Sequence, residues 1–132
     1  MNTHDLINPE DFQGSKFPDL CVLYPDEFQL LSESAQPISF KANEPVIVEG
    51  QEGKALYLVK SGQLRVNKQH DDTVYEVGSI TPGDVFGEAS VLYQGKAGAE
   101  VRAIDDCELY AISPETMQTL LESNERFLRA IT

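Results

Sequence analysis

The sequence predicts a mainly β fold, an antiparallel β-roll of the double-stranded β-helix or jelly-roll type with an N-terminal and a C-terminal helix. Three observations carry this. Short runs in the middle of the chain are strand-like, alternating apolar and polar residues. Glycine- or proline-bearing turns separate these runs at short spacing, so that neighbouring strands pair locally rather than through crossover helices. Apolar residues at helical spacing occur near the two ends.

Residues 1 to 15 show weak periodicity and two turn-prone pieces, Asn8-Pro9-Glu10 and Gln13-Gly14-Ser15, and read as a loosely held arm ahead of one domain spanning 16 to 132. From Phe17 to Ser34, Leu20, Leu23, Tyr24, Phe28 and Leu31 recur at three- to four-residue steps, with Pro25 at the first helical position and Asp26-Glu27 in an acidic first turn. Gln36-Pro37 ends that helix, because proline lacks an amide donor and restricts the residue before it. The strand-like runs are Ile38-Ser39-Phe40, Val46-Ile47-Val48, Leu56-Tyr57-Leu58-Val59, Leu64-Arg65-Val66-Asn67, Val74-Tyr75-Glu76-Val77 and Cys107 to Ile112. Turn signals lie at Lys41 to Pro45, Glu49 to Lys54, Ser61-Gly62 and His70 to Thr73. Ser113-Pro114-Glu115 supplies an N-cap, a first-turn proline and an acid for a final helix carrying Met117, Leu120 and Leu121. Phe127, Leu128 and Ile131 follow Ser123-Asn124, giving either one helix or a broken pair.

Composition narrows the function classes. A chain of 132 residues suits one domain with one core. No apolar run approaches the roughly 20 residues of a membrane span, and the first residues lack the basic start and apolar core of a secretory signal, so a cytoplasmic protein with no membrane partner is expected. The net charge of −12, from 22 acids against 10 bases, with no cluster of Lys or Arg, argues against nucleic acid as a partner. Cys21 and Cys107 form no metal-ligating spacing and read as reduced thiols. Only His4 and His70 are present, too few for a histidine-based catalytic metal site, and no nucleophile elbow or triphosphate-binding loop occurs. An enzyme is not expected.

The densest motif is Pro82-Gly83-Asp84-Val85-Phe86-Gly87-Glu88-Ala89-Ser90, followed by Lys96-Ala97-Gly98-Ala99-Glu100-Val101-Arg102-Ala103. This resembles the phosphate-binding cassette of cyclic-nucleotide-binding domains, as in bacterial catabolite activators and kinase regulatory subunits. Glu49-Gly50, Gly53, Leu56 to Val59 and Ser61-Gly62 extend the resemblance upstream. It implies a β-roll regulatory domain in which a ligand occupies a pocket and repositions a C-terminal helix. Residues 125 to 132 are too short for a full version of that helix, which is expected to be truncated or supplied from elsewhere in a parent protein. No helix-turn-helix follows the cassette.

By resemblance, the candidate phosphate and ribose pocket comprises Phe86, Gly87, Glu88, Ala89, Ser90, Lys96, Ala97, Gly98, Ala99 and Val101. The Gly87-Glu88-Ala89 start offers amides and the positive end of a short helix to an anion. Glu88 would accept from the ribose hydroxyl, or else merely complement the helix end. The family arginine that grips the cyclic phosphate is replaced by Ala97, and the family Ser/Thr by Glu100. Strand alternation sends 97, 99, 101 and 103 inward, and sets Lys96, Glu100 and Arg102 in an outward, solvated row. The expected function is a regulatory sensor module with weak or lost cyclic nucleotide binding. The alternatives are a cyclic AMP or cyclic GMP sensor and a scaffold or oligomerisation module. No cofactor is expected beyond a cyclic nucleotide or another small ligand. Expected partners are that small molecule, a tethered or separate effector protein, and a second copy in a homodimer.

Overall fold

Pro25 fixes its own φ at the start of α1 (Pro25–Ser34), and the Glu27 carboxylate reaches back to accept a hydrogen bond from the Tyr24 amide at 2.9 Å. The computed structural model describes residues 24–53, 55–87, 96–126 and 129. The part of the predicted helix before Tyr24, the N-terminal arm and Cys21 lie outside the described residues. Ala35 leaves the helix in extended conformation, and β1 (Gln36–Phe40) begins at once, as the Gln36-Pro37 break requires.

Seven further strands follow: β2 (Pro45–Ile47), β3 (Leu56–Ser61), β4 (Leu64–His70), β5 (Thr73–Ile80), β6 (Val85–Phe86), β7 (Glu100–Ala103) and β8 (Cys107–Ile112). They form two four-stranded sheets, ordered β1-β8-β3-β6 and β2-β7-β4-β5. Every pairing is antiparallel, and neighbours such as β1 and β8 come from opposite ends of the described strand order. That is the jelly-roll arrangement the alternation predicts. The two-residue β6 is too short to show a period of its own in the sequence.

Each sheet turns one face inward. Tyr57, Val59, Leu64, Phe86, Val101 and Leu109 meet there in a single cluster. On β3, Leu56 and Leu58 alternate to the other face and are also fully buried, so this strand is covered on both sides. The helices supply Leu31, Met117 and Leu120, all buried. α2 (Pro114–Ser123) starts on the predicted N-cap, where Ser113 Oγ accepts from the Thr116 amide at 3.3 Å. It stops at Asn124, whose φ of −139° and ψ of 98° are extended, and residues 125, 126 and 129 are helical again. Of the two expectations, the broken pair is the one observed.

Gly62 makes the tight β3–β4 connection possible. Its φ is +88°, and a Cβ there would lie 2.6 Å from the Asp106 carbonyl oxygen and from Cys107 Sγ. The β4–β5 hairpin turns at Asp71, with φ of 56°. Asp tolerates this conformation better than most residues. Among the described residues no helix is long and apolar enough to cross a membrane.

Candidate functional site

The cassette motif is built on β6. Before it, Thr81-Pro82-Gly83-Asp84 closes a turn in which the Asp84 amide donates to the Thr81 carbonyl at 3.0 Å and Gly83 adopts a φ of 94°. Proline second and glycine at positive φ third is the signature of a type II turn. The Asp84 carboxylate accepts from the Thr81 amide at 2.8 Å, and Val59 exchanges backbone hydrogen bonds with Gly83 and Asp84 at 2.9 and 3.0 Å. The turn is thereby pinned to β3. Phe86 then pairs with Tyr57, their rings stacked with centroids 5.1 Å apart. Burial pushes the Tyr57 phenol above its ordinary pKa. Gly87 follows at φ +88°, where a Cβ would stand 2.8 Å from the Ala55 carbonyl oxygen. Glycine is therefore required at this point for both space and conformation. Glu88, Ala89 and Ser90 lie outside the described residues.

The second half of the motif is anchored by its backbone. The Ala97 amide donates to the Gln51 carbonyl and the Gly50 amide to the Ala97 carbonyl, both at 2.8 Å, and the Lys96 and Glu52 backbones pair in an isolated antiparallel β-bridge. The chain then enters β7 between β2 and β4, with Val101 and Ala103 buried and Glu100 and Arg102 on the alternate face. The expected solvated row is only partly seen. Lys96 is exposed, but Glu100 and Arg102 pair with each other, Arg102 Nε donating to Glu100 Oε1 at 2.6 Å. The Arg102 guanidinium also donates to the Asn43 carbonyl, and Glu100 accepts from Asn67 Nδ2 at 3.4 Å. Neighbouring strands bring these partners within reach, and simple alternation cannot register them.

Between the sheets opens a cleft of about 430 Å³. Its wall is formed by Ile47, Val66, Val77, Ile80, Phe86 and Val101, and its edge by Gly87, Ala97, Gly98 and Ala99. Six of the ten sequence candidates therefore meet in one place. Lys96 is exposed and outside this lining. Five lining residues were not among the candidates, Ile47, Val66, Lys68, Val77 and Ile80, and of these Lys68, which is exposed, alone carries a charge. The signal was available in the alternation Leu64-Val66-Lys68 along β4, which keeps Lys68 on the same face as the two apolar residues at the exposed end of the strand. Among the described residues Lys68 makes no ion pair.

Other chemistry-bearing groups stand apart. His70 is exposed in the hairpin turn, 3.7 Å from Asp71, and His4 lies outside the described residues. Among the described residues no three His, Cys, Asp or Glu side chains converge as a metal site. Cys107 is buried, its Sγ facing the carbonyls of Gln63 and Asp105 at 3.3 and 3.2 Å. Burial, reinforced by the nearby Asp105 and Asp106 carboxylates, pushes its thiol pKa up.

Comparison with known proteins agrees with the architecture. The model of the cyclic nucleotide-binding domain matches residues 37–124. The cyclic AMP receptor protein of Thermus thermophilus is 34% identical over 100 residues, covering 75% of this chain and 46% of that protein. The crystal structure of the Thermus thermophilus catabolite activator protein superposes with a TM-score of 0.77 at 30% identity, covering 86% of this chain and 54% of that one. The regulatory domain of Toxoplasma gondii PKA, crystallised with cAMP, superposes with a TM-score of 0.72 at 30% identity, covering 74% of this chain and 38% of that one. This chain thus spans about half or less of each of these relatives. With the roll, the glycine-bearing cassette turn and the matched residues in agreement, the chain belongs to the cyclic nucleotide-binding domain family.

Proposed function

We propose that this chain is a regulatory sensor module whose cleft binds cyclic AMP and cyclic GMP weakly or not at all, and which acts on a tethered or separate effector. The observation that carries this reading is Ala97, which lines the cleft where the resemblance calls for an arginine and presents only a methyl group. A guanidinium there would supply two charge-assisted hydrogen bonds, together contributing about 3 kcal/mol or more. Their absence weakens cyclic phosphate binding roughly a hundredfold or more. Arg102 does not compensate, being engaged by Glu100 and the Asn43 carbonyl on the other face of β7. A second reading, a working cyclic nucleotide sensor, is favoured by Gly87, which keeps the close backbone approach of the cassette.

Calorimetric titration with cyclic AMP and cyclic GMP separates the two. The expected result is little or no heat from the unmodified chain and binding by Ala97→Arg. Micromolar binding by the unmodified chain would overturn the proposal.

A further inference from the structure

The cleft has an uneven chemical make-up. Ten of the eleven described lining residues have side chains without a hydrogen-bonding group, or are glycine, and the eleventh is Lys68, whose side chain is exposed. A cavity of about 430 Å³ is within the range that small-molecule sites occupy, roughly 300 to 1,000 Å³. The geometry points to a small organic carboxylate with an apolar body as the ligand of this cleft, its body against Val66, Val77 and Phe86 and its charge on the Lys68 ammonium. This inference rests on the weak-nucleotide reading above and names what the cleft takes instead.

The chemistry of the cleft selects that class. Val66 and Lys68 share one face of β4, so the apolar wall and the cation are two residues apart on one rigid strand. A dianion would leave one charge without a partner against an apolar wall, whereas a monoanion is matched. A cyclic nucleotide is also a monoanion, but the methyl group of Ala97 leaves its phosphate without the guanidinium that the resemblance calls for. Lysine presents a compact point charge rather than the planar fork that grips a phosphate in two places, and a single carboxylate suffices for it. The overall charge of −12 disfavours anions in general, so the cation in the cleft sets the selectivity.

The test uses octanoate, with octanol as its uncharged counterpart and cyclic AMP as the nucleotide arm, titrated at low salt into the unmodified chain and Lys68→Met. Binding is followed by calorimetry and by the amide resonances of Val66, Gly98 and Ala99. Octanoate should shift those resonances and bind about tenfold or more weakly to Lys68→Met. Its affinity should fall with added salt, while octanol binds both proteins alike. Equal octanoate binding by the two proteins overturns the role of Lys68. Failure of octanoate to bind, with cyclic AMP also silent, overturns this inference and leaves the weak-nucleotide reading standing. Micromolar cyclic AMP binding by the unmodified chain overturns both.

Discussion

Asn124 Nδ2 donates to Glu27 Oε1 at 2.7 Å, joining the residue that ends α2 to the first turn of α1 across 97 positions of sequence. Ser123 Oγ donates to the other Glu27 oxygen at 3.0 Å, and the Tyr24 amide donates to Oε1 at 2.9 Å. The Arg126 guanidinium lies 5.0 Å from the centre of the Tyr24 ring, closing the cluster from the segment after α2. Glu27 and Asn124 are both buried. One carboxylate thus holds the point where the chain turns out of α2.

Replacing Glu27 by Ala should remove those acceptors, and with them the hydrogen bonds from the Tyr24 amide, Asn124 and Ser123. Hydrogen bonds to a charged group contribute about 1.5 to 3 kcal/mol each. Urea denaturation at neutral pH should show a loss of about 3 kcal/mol or more for Glu27→Ala. Asn124→Ala should lose less, because Ser123 and the Tyr24 amide still serve the carboxylate. Equal, negligible losses for both variants would show that the contact carries no stability.

The same carboxylate makes stability depend on pH. Burial alone raises the Glu27 pKa, but the hydrogen bonds from the Tyr24 amide, Asn124 and Ser123, with Arg126 nearby, outweigh it and hold the group below its ordinary value. Its folded pKa is therefore lower than the unfolded value of about 4.3. The contribution is fully present well above that value and is lost as pH falls through the folded pKa. In urea titrations between neutral and about pH 3, Glu27→Gln should flatten the acid limb of the stability profile relative to the unmodified chain. An unchanged limb would assign acid sensitivity to other carboxylates.

Sequence reading reached the roll because its signals are local. The Ser61-Gly62 turn, the His70 to Thr73 turn and the Ser113-Pro114 helix start each act over a few residues, and each is found where expected. The cleft was half legible: Phe86, Gly87, Ala97, Gly98, Ala99 and Val101, all in the motif, line it, whereas Lys68 reads locally as one more charge near a hairpin. The Glu27 cluster was invisible, since an acid in a helix's first turn already has a sufficient local reason. The Glu100 and Arg102 pairing was misread for a related cause. Alternation gives the face on which a side chain lies, but not that the Asn43 carbonyl and the Asn67 side-chain amide reach it.

Glycines at positive φ separate conformational cost from steric cost. Gly50 and Gly62 both have φ of +88°, but a Cβ at Gly50 meets nothing within 4 Å, whereas at Gly62 it meets the Asp106 carbonyl oxygen and Cys107 Sγ at 2.6 Å. Gly50→Ala should cost about 1 to 2 kcal/mol, the penalty of left-handed backbone alone. Gly62→Ala should cost about 3 kcal/mol or more, because a backbone carbonyl has to move as well. Thermal or urea melts of the two variants give the comparison directly, and similar losses would show that the β3–β4 connection accommodates a methyl group.

Cys107 should behave as a core residue rather than a reactive thiol. It is 1% exposed and lies against the Gln63 and Asp105 carbonyls, and burial with neighbouring carboxylates raises its pKa. Alkylation requires the thiolate, so both access and ionisation oppose it in the folded chain. Iodoacetamide labelling at pH 8, mapped by mass spectrometry, should leave Cys107 unmodified in the native protein and modify it fully in denaturant. The raised folded pKa also carries a sign. Above the unfolded thiol value of about 8.5 the unfolded chain releases its proton while the folded chain retains it, so stability declines as pH rises. Cys107→Ala should flatten that alkaline decline, at the cost of a small cavity beside Gly62. Rapid native labelling at Cys107, or an unaltered alkaline limb, would place the thiol in a more open environment than the β8 start provides.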